Sequence, residues 1–195
     1  MKPIIFSTPM VQAILAGRKT QTRRVLKPQP VIDAHGMWLW KDFQWMDGGL
    51  GFPASGIEDY APYKPGDILW VRETWSPVQV LPKRYLYKAD AENGGEGDGL
   101  PIRWRPSIHM PREAARLFLR VTGVRVERVQ DITHAGALAE GIVQCPGWKF
   151  ELSECDCTIV EFGKLWDALG FEWERNPWVF VCSFERITKE EVNDE

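Results

Sequence analysis

The chain has 195 residues, 44% of them hydrophobic and 26% charged. That balance fits an ordinary globular protein and excludes wholesale disorder, collagen and coiled coil. A formal net charge of −3 excludes a uniformly basic coat for duplex nucleic acid, but leaves room for a local basic patch.

The start of the chain offers only Ile4, Ile5 and Phe6 as an apolar run. It does not read as a signal peptide, so a cytoplasmic location is expected. The first predicted element is a helix. Thr8 can cap it, Pro9 suits its first position, and Met10, Val11, Ile14 and Leu15 recur at helical spacing. Gly17 predicts a left-handed stop. Periodicity is lost after Arg24, and residues 28–63 read as an ordered insertion with short strands around Trp38, Leu39 and Trp40. Tyr63-Lys64-Pro65-Gly66-Asp67 predicts a turn, and Ile68 to Trp75 a strand. Tyr85-Leu86-Tyr87 predicts another short strand, followed by a Gly-rich, acidic loop from Ala89 to Pro101.

Residues 117–129 alternate as strands do, as one strand or as two with a bend at Gly123. Asp131 or Thr133 caps a short helix running to Glu140, with Gly141 beyond it. Residues 144–157 form a cysteine-containing loop. Val160 to Leu169 predicts a helix, Trp178 to Phe184 a strand, and residues 188–195 a frayed, charged tail. Short strands outnumber helices and do not alternate regularly with long ones. The expected class is α+β, a single domain over 1–195 built on a small barrel or curled sheet. No apolar run nears the roughly 18 residues of a membrane span, so no membrane partner is expected.

The densest charge cluster follows the first helix. Arg18, Lys19, Arg23, Arg24 and Lys27 carry no acid among them. Such a run is either a solvated face or an anion-binding rim. A second cluster, Arg103-Trp104-Arg105-Pro106-Ser107-Ile108-His109-Met110-Pro111-Arg112, interleaves cations with an aromatic, as nucleic-acid-facing segments do. Its competing reading is a loop folded over the sheet, with Trp104 buried. His109 is a candidate proton shuttle or a structural histidine. Arg72 and Trp75 continue the 68–75 strand and are candidates for ligand contact and base stacking. The ten tryptophans in general read as core and loop anchors. Cys145, Cys155 and Cys157 lack the tight paired spacing of structural zinc, and no metal site is expected. No Walker loop, dinucleotide fingerprint or H-E-x-x-H is present, and no cofactor is expected.

The order of residues adds a resemblance. Ile14-Leu15-Ala16-Gly17-Arg18-Lys19-Thr20, followed by Thr22 and Arg24, resembles the G-x-K signature of the ASCH family. Lys64 to Leu69 is similar to that family's turn and strand. Leu119 to Thr122 with Thr133 to Ile142 is similar to its later strand and helix, and Trp178 to Ile187 to its closing strand. The resemblance covers about half the chain. It implies a PUA-like small β-barrel flanked by short helices, with 28–62, 76–116 and 144–157 as insertions of a longer bacterial or prophage-borne member.

Some small members of that family deacetylate 4-acetylcytidine with a Lys, a Thr and a Glu. Those positions match Lys19, Thr22 and Glu140. A Thr hydroxyl needs a base, Lys can be that base only if its pKa falls, and Glu must be protonated to assist a leaving amine. The resemblance thus implies an amidohydrolase whose cleft lies between the first-helix motif and the 133–140 helix. Its alternatives are a non-catalytic RNA-binding module, or a phage-derived regulatory protein with a vestigial cleft. The expected partner is RNA or a modified nucleoside, met by Arg18, Arg23, Arg24, Arg72, Trp75, Arg103, Trp104, Arg105 and His109.

Overall fold

The computed structural model describes residues 1–41, 43–46, 57–78, 84–91, 102–143 and 157–193. The elements begin with β1 (Lys2–Ile5), α1 (Thr8–Leu15), β2 (Gln21–Val25), β3 (Val31–Ile32), β4 (Met37–Trp40) and β5 (Phe43–Met46). They continue with β6 (Ile68–Arg72), β7 (Trp75–Val78), β8 (Arg84–Tyr87) and β9 (Phe118–Arg128). They end with α2 (His134–Ala139), α3 (Cys157–Ala168), β10 (Trp178–Ile187) and α4 (Lys189–Asn193).

The fold is α+β. Its main sheet has five strands in the order β1-β6-β9-β10-β2. β1 runs parallel to β6, and the remaining neighbours are antiparallel. If the sheet were flat, its edge strands would stand about 19 Å apart. Yet Arg24 on β2 donates from Nη2 to the Ile5 carbonyl of β1 at 3.1 Å. The sheet is therefore strongly curled, in the sense that strand twist allows. No ladder among the described residues joins β1 to β2. The two edges face each other across a seam that the Arg24 side chain spans.

Alternation along β10 sorts the core onto two faces. Val179 and Val181 pack with Phe162 and Trp166 of α3. Cys182 and Phe184 point the other way, into a core with Phe6, Val11, Leu69 and Leu119. Trp38, Trp40, Trp75 and Trp166 are all buried, so these four tryptophans serve the core.

Several predicted elements form with altered bounds. Ser7, not Thr8, takes the cap of α1, and Gly17 closes the helix at φ +70. The strand expected over 68–75 is two strands: β6 ends at Arg72, and Trp75 starts β7 in a separate hairpin with β8. The break falls where Glu73 is drawn aside by Arg116. Its carboxylate takes Nε at 2.9 Å and Nη2 at 3.0 Å, a bidentate pair. β9 is one strand, and its register against β10 shifts between Gly123 and Val121, so the expected bend is a bulge.

Within the tail expected to fray, Lys189–Asn193 forms α4. Thr188 Oγ1 accepts from the Glu191 amide, Glu191 Oε2 accepts from the Thr188 amide at 2.7 Å, and Val192 is buried. Most of the Gly-rich loop, together with Cys145 and Cys155, lies outside the described residues. Among the described residues no helix is long and apolar enough to cross a membrane, and no three potential ligands group around a metal position.

Candidate functional site

The G-x-K segment is placed by its backbone. After Gly17, the Arg18 and Lys19 amides both donate to the Ala13 carbonyl, at 2.9 and 3.1 Å. The Thr20 amide then reaches Ala139 at 2.8 Å, and Lys19 bridges Glu140 across an isolated antiparallel pair. This joins the end of α1 to the end of α2. Gly141 makes the join possible. Its φ is +95, and a Cβ there would stand 2.9 Å from that of Ala13 and 3.2 Å from that of Lys19.

Two of the three residues matched to the catalytic set therefore meet. Lys19 Nζ donates to Glu140 Oε2 at 2.6 Å and to the Glu140 carbonyl at 2.9 Å. The other carboxylate oxygen accepts from Arg23 Nη1 at 3.0 Å. Arg23 in turn pairs with Glu127 at 2.6 Å. Three of these four residues are interior: Lys19 is 2% exposed, Arg23 4% and Glu140 5%, while Glu127 is partly buried. The cleft expected between the first-helix motif and the 133–140 helix is filled by these ion pairs. Burial pulls the Lys19 ammonium below its ordinary range. Glu140 partly opposes this, while Arg24 and Arg23 add to it.

Thr22 is buried and sits on the opposite face of β2 from Arg23, opposite Cys182 in register. Its hydroxyl accepts from Arg24 Nη1 at 3.0 Å. Phe6 links the two groups of cations: Lys19 Nζ and Arg24 Cζ each lie 5.6 Å from its ring centroid. Arg23, expected at a ligand rim, is consumed by Glu140 and Glu127 and lies over the Phe162 ring. Arg18 is exposed and donates to the Gly141 carbonyl.

The open concavity lies at the seam. A cleft of about 270 Å³ is lined by Pro3, Ile4, Ile5, Arg24, Tyr63 and Arg72. Among the described residues its charged lining consists of two arginines and no carboxylate. Arg24 is fixed by Thr22, the Ile5 carbonyl and the Arg23 carbonyl. Arg72 donates from Nη2 to the Ile108 carbonyl, while its buried Nε has no partner among the described residues. The Tyr63 hydroxyl donates to the Pro3 carbonyl at 3.0 Å, and burial raises its pKa above the ordinary phenol value.

The 103–112 segment runs beside this cleft, since Ile108 holds Arg72. Arg103, Arg105 and His109 are exposed, and Trp104 is half-buried. Arg105 pairs with Trp75 through both backbone groups, at 3.2 and 2.7 Å. Trp75 is buried between the Arg105 guanidinium, 5.5 Å from its ring centroid, and Tyr85 at 5.6 Å. Its ring is packed in the core instead of offering a face to a base. Sequence reasoning missed Tyr63, Pro3, Ile4 and Ile5 as cleft walls. An aromatic directly before a Lys-Pro-Gly-Asp turn was the one available signal. It also missed Glu127 and Arg116 as the partners that fix Arg23 and Glu73.

The described residues thus define a small α+β domain with a curled sheet and an arginine-lined seam. No family model matches the chain, and no curated protein matches it. Among solved structures it is similar to the crystal structure of protein EF3133 from Enterococcus faecalis V583, of the family DUF984. Identity is 13% and the TM-score 0.39, over 93% of this chain and 70% of that one. A likeness at that level carries no argument about the fold or function of this chain.

Proposed function

We propose that the seam cleft binds a nucleotide unit of RNA or a modified nucleoside. The carrying observation is the lining: among the described residues, two arginines and no acid around a space of about 270 Å³. Arginine forks suit phosphate oxygens and the acceptor edges of bases. The apolar walls, Pro3, Ile4 and Ile5, suit the face of a sugar or base. The resemblance of residues 14–24, 64–69, 119–122, 133–142 and 178–187 to ASCH domains supports this reading. So does the curled sheet, read as a PUA-like barrel left open at its seam.

The test is a titration of cytidine 5′-monophosphate at low salt into wild type and Arg72→Met. Loss of a charged hydrogen-bonding partner should weaken binding about tenfold or more. Equal affinity of the two proteins would remove Arg72 from the site. No binding of any nucleotide or RNA by wild type would overturn the reading and leave the regulatory alternative with a vestigial cleft.

A second reading is favoured by one observation, the contact of Lys19 with Glu140 under burial that lowers the Lys19 pKa. In it, Lys19 first passes its proton to Glu140 across their 2.6 Å contact; neutral Lys19 then takes the Thr22 proton and Oγ1 attacks the acetyl carbonyl of 4-acetylcytidine. Glu140 protonates the departing amine, and water then releases acetate from the Thr22 ester. Thr22 must first lose its bond from Arg24, and Glu140 must release Lys19 or Arg23. Cytidine release by wild type, abolished in Lys19→Met and Thr22→Val, is the expected result. Absence of turnover in folded wild type would sink this reading while leaving the binding site intact.

A further inference from the structure

We infer that a second pocket, at the start of β1, takes a further nucleotide of the same strand, so that the partner is single-stranded RNA in place of a free nucleotide. This rests on the reading of the seam cleft as a nucleotide site. The pocket measures about 330 Å³. Its floor is apolar and buried: Ala115 is 8% exposed, Phe118 5% and Val192 7%. Its rim carries Arg112 and Lys189. Neither cation has an ion pair among the described residues, and the one contact of Arg112 is with Met1 Sδ at 3.3 Å. Glu113 also lines the pocket and turns its Oε1 to the Tyr85 hydroxyl at 2.9 Å, so the rim carries two cations against one acid.

Two features connect this pocket to the seam. Met1, which lines it, directly precedes the strand whose Pro3, Ile4 and Ile5 line the seam cleft. At the rise of an extended chain, Met1 of one lining and Ile4 of the other stand about 10 Å apart. The 107–114 segment spans the same interval. Its Ile108 carbonyl holds Arg72 of the first site, and its Arg112 forms the rim of the second. The track therefore places a pair of cations over an apolar wall twice, the second time with Glu113 beside them. A duplex keeps its bases paired and cannot place them in such pockets, whereas a single strand can.

The experiment compares cytidine 5′-monophosphate with an oligocytidylate of about eight nucleotides, a length within ordinary single-strand site sizes. Both are titrated into wild type and into the double variant Arg112→Ala/Lys189→Ala, across a range of salt. These side chains are exposed and make no ion pair among the described residues, so the fold is expected to survive; circular dichroism checks it. The variant should bind the oligomer about tenfold more weakly, with a salt slope shallower by about 1.4 for two lost phosphate contacts. Its affinity for the mononucleotide should equal that of wild type. An oligomer affinity and slope matching wild type would overturn the second pocket. So would an oligomer that binds wild type no tighter than the mononucleotide, and both results leave the seam site standing. If wild type binds neither ligand, the seam reading fails and this inference falls with it.

Discussion

Cys182 and Lys19 are both buried beside Arg24, and they respond to pH in opposite directions. Burial pushes the Cys182 thiol from 9.0 to about 11. Between those values the native thiol keeps a proton that the unfolded chain has lost. The native state then binds more protons, so stability falls as pH rises, by about 1 kcal/mol per unit. Lys19 runs the other way. Its pKa is lowered from 10.5, so in the window beneath that value the unfolded chain holds the extra proton and stability rises with pH. The two windows overlap, and the difference between variants separates them. Cys182→Ala should lose stability at neutral pH through its small cavity, yet show a flatter or rising urea midpoint from pH 9 to 11. An unchanged slope in that variant would mean that the thiol does not hold its proton in the folded state. The same residues mark what the sequence revealed at this scale. Lys19 and Glu140 were legible as partners only through the ASCH resemblance. Their closure into an ion pair with Arg23 was not, because a run of cations looks solvated until the acids that neutralise it, Glu140 and Glu127, are placed in space.

At the scale of elements, legibility followed apolar spacing. α1 announced itself through Val11 and Ile14 and through Pro9 in its first turn. β9 and β10 announced themselves through alternation, and β10 buries Val179, Phe180, Val181, Cys182 and Phe184. β2 did not, although it is paired along its whole length with β10. Its buried positions are Thr22 and Arg23, which a hydrophobicity pattern counts as surface. β1 was hidden differently. It is short, it contains Pro3, and its parallel partner β6 lies more than sixty residues away in sequence. Proline is tolerated there because β1 is an edge strand. The Pro3 and Ile5 carbonyls are covered by Tyr63 and Arg24 in place of another strand. α4 was missed for a third reason. Its residues are charged, and the signal was the capping box of Thr188 and Glu191 instead of any apolar stripe.

For the whole molecule, these edges explain where the site lies. The chain leaves β1, crosses through α1 and returns as β2, so consecutive strands end on opposite edges of a five-stranded sheet. Curling brings those edges together without a ladder, and the unpaired seam is where backbone acceptors and side-chain cations remain open to a ligand. Arg24 serves both fold and site: it spans the seam to Ile5, holds Thr22 and lines the cleft. Arg72 lines the same cleft, and its bond to the Ile108 carbonyl is exposed and does not cross the seam. The two arginines should therefore separate in experiment. Arg24→Met should lower the unfolding free energy by about 1–2 kcal/mol through lost charged hydrogen bonds, and should abolish nucleotide binding as well. Arg72→Met should weaken nucleotide binding with a urea midpoint close to wild type. Arg24→Lys keeps the charge but not the fork, and should fall between the two in stability because an ammonium cannot span the same acceptors. If Arg24→Met unfolds at the wild-type urea concentration, the seam is held by the curl of the sheet alone, and Arg24 belongs only to the ligand.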